Sequence, residues 1–103
     1  MTVVPDGCNM FVVDLHYVGS LDRVDAAMSE HVEFLKKNYA SGVFIASGRK
    51  VPRTGGIIIA VAQDRAALDS VLCQDPFQQL GLAQYSITEF IPSMLARRGY
   101  FFS

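Results

Sequence analysis

Six consecutive apolar residues, IIIAVA at 57–62, constrain this chain more than any other stretch. The run is far too short for a membrane helix, which needs ~20 residues. Apolar side chains at every position predict instead a strand with both faces covered. Whatever surrounds it must therefore supply two layers of packing.

The flanking segments alternate in a readable order. Residues 1–9 hold Pro5, Asp6, Gly7 and Asn9 and read as a flexible N-terminal arm, leaving a single domain over 10–103. MFVVDLHYV (10–18) alternates Phe11, Val13, Leu15 and Tyr17 with Met10, Val12, Asp14 and His16, which predicts a strand with one apolar and one mixed face. GSLDRVDAAMSEHVEFLKKNYASG (19–42) predicts one long helix. Ser20 is its N-cap, Asp22 stands in its first turn, Gly42 is its stop, and Leu21, Val24, Met28, Val32, Leu35 and Tyr39 form its apolar stripe. VFIASG (43–48) is a short strand and RKVPRTGG (49–56) a basic loop. After IIIAVA, Asp64 caps a second helix, RAALDSVLC, with Ala67, Leu68, Val71 and Leu72 on one face. AQYSITEFI (83–91) is the last strand, ended by Pro92 and followed by a tail, SMLARRGYFFS.

The order β-α-β-β-α-β predicts an α+β fold, a four-stranded antiparallel sheet with both helices on one face in the ferredoxin-like arrangement. That leaves the other sheet face bare, although IIIAVA is apolar on both sides and the terminal YFF adds more unburied surface. A patch of that kind marks an interface. The expectation is a homodimer packed sheet to sheet, with higher assembly open; a monomer covered by its own tail is the alternative.

Charge narrows the function classes. Nine basic against ten acidic residues give a net charge of −1. No basic stripe with interleaved aromatics appears, so neither a nucleic-acid partner nor a polybasic membrane contact is expected. MTVVPDGCNM lacks a basic segment followed by a long apolar one, which a secretion signal requires. Cys8 and Cys73 form no CxxC, and the only two histidines, His16 and His31, are fifteen positions apart. A cytoplasmic location, no metal and no cofactor are therefore expected. Cys73 reads as a small buried core residue in preference to a nucleophile.

His31 sits midway along the first helix, one turn from Ala27 and Leu35, at the border of the apolar stripe. Such a histidine is either a packed structural imidazole or an acid/base group. The segment CQDPFQQLGL (73–82) bears on the choice, because it spends a phenylalanine and Leu-Gly-Leu where a polar turn would suffice. In this fold the loop after the second helix approaches the first, which brings Asp75 toward His31. A carboxylate on one imidazole nitrogen fixes the tautomer and raises the basicity of the other, which then moves protons. Pro76 would stiffen that turn, Phe77 plug it into the core, and Gly81 return the chain to the sheet.

HVEFLKKNYASGVFIASG, GGIIIAVA and DPFQQLGL, in this order and spacing, resemble the YCII (YciI-like) family over about Met10 to Ile91. The resemblance implies a ferredoxin-like fold that dimerises as an α/β barrel, and a shared His-Asp pair as the active site, falling here on His31 and Asp75. The family's Ser-Gly falls on Ser47 and Gly48. Where the family usually has proline, this chain has Arg49, which adds a positive charge. The substrate-binding residues expected are Ser47, Gly48, Arg49 and Phe77. Some members belong to catabolic pathways for aromatic compounds.

Arg49, Lys50 and Arg53 read either as an anion-binding rim or as a solvated loop. His16 reads as a structural imidazole at the interface or pocket mouth. Nothing in the spacing singles out Tyr17 or Tyr39. Two functional readings remain. One is a small cofactor-independent enzyme, with His31 and Asp75 performing isomerisation, dehydration or elimination on a small carboxylate-bearing, anionic substrate. The other is a non-catalytic dimeric module for small-molecule binding or assembly.

Overall fold

The computed structural model describes residues 4–96. Along the chain run β1 (Asn9–Tyr17), α1 (Leu21–Ala26), α2 (Met28–Ala40), β2 (Phe44–Arg49), β3 (Gly55–Ala62), α3 (Arg65–Leu72), α4 (Pro76–Gln79) and β4 (Ala83–Phe90). The four strands form one sheet in the order β2-β3-β1-β4, every pairing antiparallel. This is the α+β, ferredoxin-like arrangement that the sequence order predicts.

Register divides the sheet into two faces. Phe11 lies opposite Ala60 and Val13 opposite Ile58, so their side chains share one side of the sheet. That side meets the helices, and Phe11, Val13, Val24, Leu68 and Phe77 make the main core there. Val12 lies opposite Ile59 and Thr88, and Asp14 opposite Ile57 and Ser86, on the other side. Val12, Ile57 and Ile59 are only half-buried there. Of the stretch expected as an arm, the described part includes Val4, which is buried in a small cluster with Met10 and Val61. The terminal YFF lies outside the described residues.

The long helix expected over 19–42 is two. Ala27, at φ −96° and ψ 0°, closes α1 and opens α2. Alanine is the best helix former, so nothing local signals this break; packing overrides propensity. The buried face differs too. Val24, Ala27, His31, Phe34 and Asn38 point inward, whereas Leu21 and Tyr39 are exposed and Met28, Val32 and Leu35 half-buried. The two polar members can turn inward because each finds a partner there. Asn38 Nδ2 donates to Phe34 O at 2.9 Å and His31 bonds Asp75.

Two further differences concern the second half. Cys73, expected as a core residue, is exposed, because it follows the last turn of α3 and its Sγ donates back to Ser70 O at 3.1 Å. The turn expected at 75–81 contains the short helix α4. Gly81 then takes φ +66°, a left-handed conformation that glycine adopts freely, and Leu82 returns to the core.

The β1–β3 contact has no room for a side chain at one place. A Cβ on Gly55 would stand 1.7 Å from Leu15 O, whereas one on Gly48 would meet nothing within 4 Å. Gly55→Ala is expected to destabilise the protein by about 2 kcal/mol or more in urea unfolding, with Gly48→Ala within ~0.5 kcal/mol of wild type.

Candidate active site

Local sequence chemistry places Asp75. It is the N-cap of α4, with Oδ1 accepting from Phe77 N at 3.0 Å and Pro76 filling the first helical position, where a missing N–H costs nothing. The same Oδ1 accepts from His31 Nδ1 at 2.8 Å. Oδ2 accepts from the Tyr85 hydroxyl. Asp75 is 0% exposed, so its three donors come from α2, α4 and β4 and none from bulk water.

Phe77 lies behind the imidazole. Its ring stacks on His31 at 3.9 Å between centroids and 5° between planes, and its other neighbour is the edge of Tyr17. The stack and the Nδ1 bond together set the ring's orientation. His31 makes no other side-chain hydrogen bond among the described residues, and no buried side-chain N or O there lacks a partner. Nε2 is therefore the atom through which His31 meets solvent.

His31 lines a cleft of about 140 Å³ between α2 and the β2–β3 hairpin. Met28, Val32 and Leu35 form an apolar wall, and Ser47, Gly48 and Arg49 a polar rim. The stripe read in the sequence thus borders this cleft more than the core. Ser47 Oγ and Tyr39 Oη share a hydrogen bond of 2.6 Å. Of the three loop cations, Lys50 pairs with Asp14, and Arg53 pairs with Asp25 at 2.5 Å and lies 6.0 Å over the Tyr17 ring. Arg49 has no ion pair among the described residues and lines the cleft.

Of the six residues singled out in the sequence, His31, Ser47, Gly48 and Arg49 line one cleft. Asp75 and Phe77 stand behind it, in contact with His31, so Phe77 supports the imidazole and is not part of the wall. His16 is exposed at the end of β1, opposite Gly55 and Gln84, and does not line the cleft. Tyr85 went unremarked in the sequence; the alternation of β4 puts it on the helix-facing side, but only the fold brings it to Asp75. Among the described residues no three His, Cys, Asp or Glu side chains are grouped to hold a metal ion, and no helix is long and apolar enough to cross a membrane.

A sequence profile of the YCII-related domain matches residues 10–91. Among solved structures, the chain is similar to 5-chloro-2-hydroxyhydroquinone dehydrochlorinase (TftG) from Burkholderia phenoliruptrix AC1100, in complex with 2,5-dihydroxybenzoquinone. The TM-score is 0.69 at 20% identity, over 79% of this chain and 92% of that one. It is also similar to SnoaB, a cofactor-independent oxygenase from Streptomyces nogalater, with a TM-score of 0.51 at 17% identity, over 85% of this chain and 95% of that one. At these identities the likeness is one of fold. No curated protein matches.

Removing the buried carboxylate strands three donors at once. Asp75→Ala is expected to cost ~3–5 kcal/mol in urea unfolding, with Asp75→Asn costing less because it keeps one carbonyl acceptor. A second expectation concerns alkali. Burial, reinforced by the Asp75 charge and their hydrogen bond, pushes the Tyr85 phenol above its ordinary value. A folded-state value that is raised adds stability below the unfolded value of ~10, lost as pH climbs beyond it toward the folded value. Unfolding midpoints measured across that range should fall more steeply for wild type than for Tyr85→Phe.

Proposed function

The chain belongs to the YCII-related domain family, and we propose that it is a small cofactor-independent enzyme whose His31 moves a proton on a small anionic substrate. The observation carrying this reading is the division of labour in the imidazole. Nδ1 is committed to a fully buried carboxylate, while the ring opens onto a cleft. With Nδ1–H donating to Asp75, the neutral ring presents Nε2 as an unprotonated base.

The chemistry follows from what surrounds that atom. A substrate lying against Met28, Val32 and Leu35 would set its carboxylate on Arg49 and accept a hydrogen bond from Ser47. Nε2 takes the proton from carbon beside a carbonyl or carboxylate, and the electron pair passes into the adjacent π system. Returning that proton to another carbon is isomerisation. Expelling hydroxide or halide from the neighbouring carbon, with the imidazolium passing its proton to the leaving group or to water, is dehydration or elimination. The dehydrochlorinase named for the similar Burkholderia protein supports the elimination branch, and its bound quinone supports a planar, oxygenated substrate.

The working unit in this reading is a homodimer. Val12, Ile57 and Ile59 are half-exposed on the face away from the helices, and a second copy packed sheet to sheet would cover them. A non-catalytic binding module would use the same cleft but would have no use for an imidazole with one nitrogen pinned and the other open.

The test is solvent deuterium exchange at carbon, followed by proton NMR, across a panel of small unsaturated and hydroxylated aromatic carboxylates. Wild type is expected to exchange at least one of them, with His31→Gln slower by ~100-fold or more and Asp75→Asn intermediate. Panel members that bind in the cleft without exchanging would replace the enzyme by the binding module.

A further inference from the structure

The buried carboxylate makes two bonds more than a histidine–aspartate pair needs. Oδ1 already serves His31 Nδ1 and Phe77 N, while Oδ2 is held by the Tyr85 hydroxyl from β4. Tyr85 lies on the helix-facing side of its strand, opposite Leu15, with Asp75 wholly removed from solvent above it. No water competes for Oδ2, so the phenol alone decides how that oxygen's charge is spent.

We propose that Tyr85 is a positioning residue for the His31–Asp75 pair, anchoring the carboxylate at its second oxygen and withholding part of its charge from the imidazole. The first effect is geometric. With both oxygens engaged the carboxylate cannot rotate about its Cβ–Cγ bond, and Oδ1 stays on Nδ1. The second is electronic. Donors on one carboxylate share its charge, so a hydroxyl on Oδ2 weakens the pull that Oδ1 exerts on Nδ1–H, and Nε2 becomes a weaker base than a two-residue pair would make it. The phenol is suited to this because its environment keeps it protonated, and so a donor, well past neutrality. The other ionisable groups at the cleft are Arg49 and Tyr17, and neither is hydrogen-bonded to the ring. The functional meaning rests on His31 being the proton-moving group, but the test needs no substrate.

Diethyl pyrocarbonate acylates neutral imidazole nitrogen, and among the histidine nitrogens of this site only Nε2 is open. The rate at His31 is read by peptide mass spectrometry on the alkaline plateau, where it no longer changes with pH. Nα-acetylhistidine added to the same reaction is the reference. Tyr85→Phe, which removes the hydroxyl, is expected to raise the ratio of the His31 rate to that reference by about threefold. Fluorotyrosine at position 85 alone, a more acidic donor of nearly the same shape, is expected to lower it by about twofold.

Opposite signs from the two changes are the signature of charge sharing. A residue that only fills space would leave the fluorotyrosine protein unchanged. Ratios that stay put, or that move in the same direction, overturn the proposal. Should Tyr85→Phe not fold, the fluorotyrosine protein decides alone: a slower His31 supports it, an unchanged or faster one overturns it. Since the ratio is read on free protein, failure of the catalytic reading shows only in the exchange assay.

Discussion

A single carboxylate with no access to water organises this molecule. Leaving an aspartate in the interior costs several kcal/mol unless its oxygens are satisfied. Asp75 is satisfied by a ring nitrogen of α2, a backbone amide of α4 and a phenol of β4. The amide is local, but the imidazole comes from α2, far upstream, and the phenol from the following strand, so the three bonds form together only when the helices are seated on the sheet. The same contacts that offset the burial of the charge also orient His31, which joins the stability of the domain to the geometry of its candidate site.

The cleft exists because α2 has an apolar flank that the core does not use. His31 and Asn38 turn inward with internal partners, and their places in the core leave Met28, Val32 and Leu35 along the helix edge. The end of β2 and the loop after it arrive opposite that edge and bring three cations. Two are held by acids of β1 and α1, and the third, Arg49, is left at the rim. The cleft therefore has one apolar wall, an anchored imidazole, and a cation at its rim that has no ion pair among the described residues.

Much of the fold was legible before any coordinates. Alternation in 10–18, the unbroken IIIAVA run and the caps at Ser20 and Asp64 are local signals, because each depends on neighbours a few residues away. Both caps recur in the structure, with Ser20 accepting from Arg23 N and Asp64 from Ala67 N, and Asp75, expected only in a turn, caps α4 as well. What was misjudged depended on partners across the fold. The stripe expected on the first helix keeps His31 at its border and omits Asn38, whereas both are inward-facing because each has an internal acceptor. The break at Ala27 and the exposure of Cys73 likewise follow from how helices sit on the sheet and leave no mark in the local pattern.

The sequence by itself determined the order of elements, the antiparallel sheet that order implies, the Asp-Pro-Phe turn chemistry and the resemblance that pairs His31 with Asp75. The tertiary structure decided the rest: that Tyr85 completes the carboxylate's partners, that Phe77 backs the imidazole and stays out of the cleft wall, and that Arg49 alone of its cluster reaches the cleft, with no counter-charge among the described residues. The reason is one of range. Periodicity and capping are written in neighbouring residues, whereas the sharing of a buried charge depends on groups that meet only after the chain has folded.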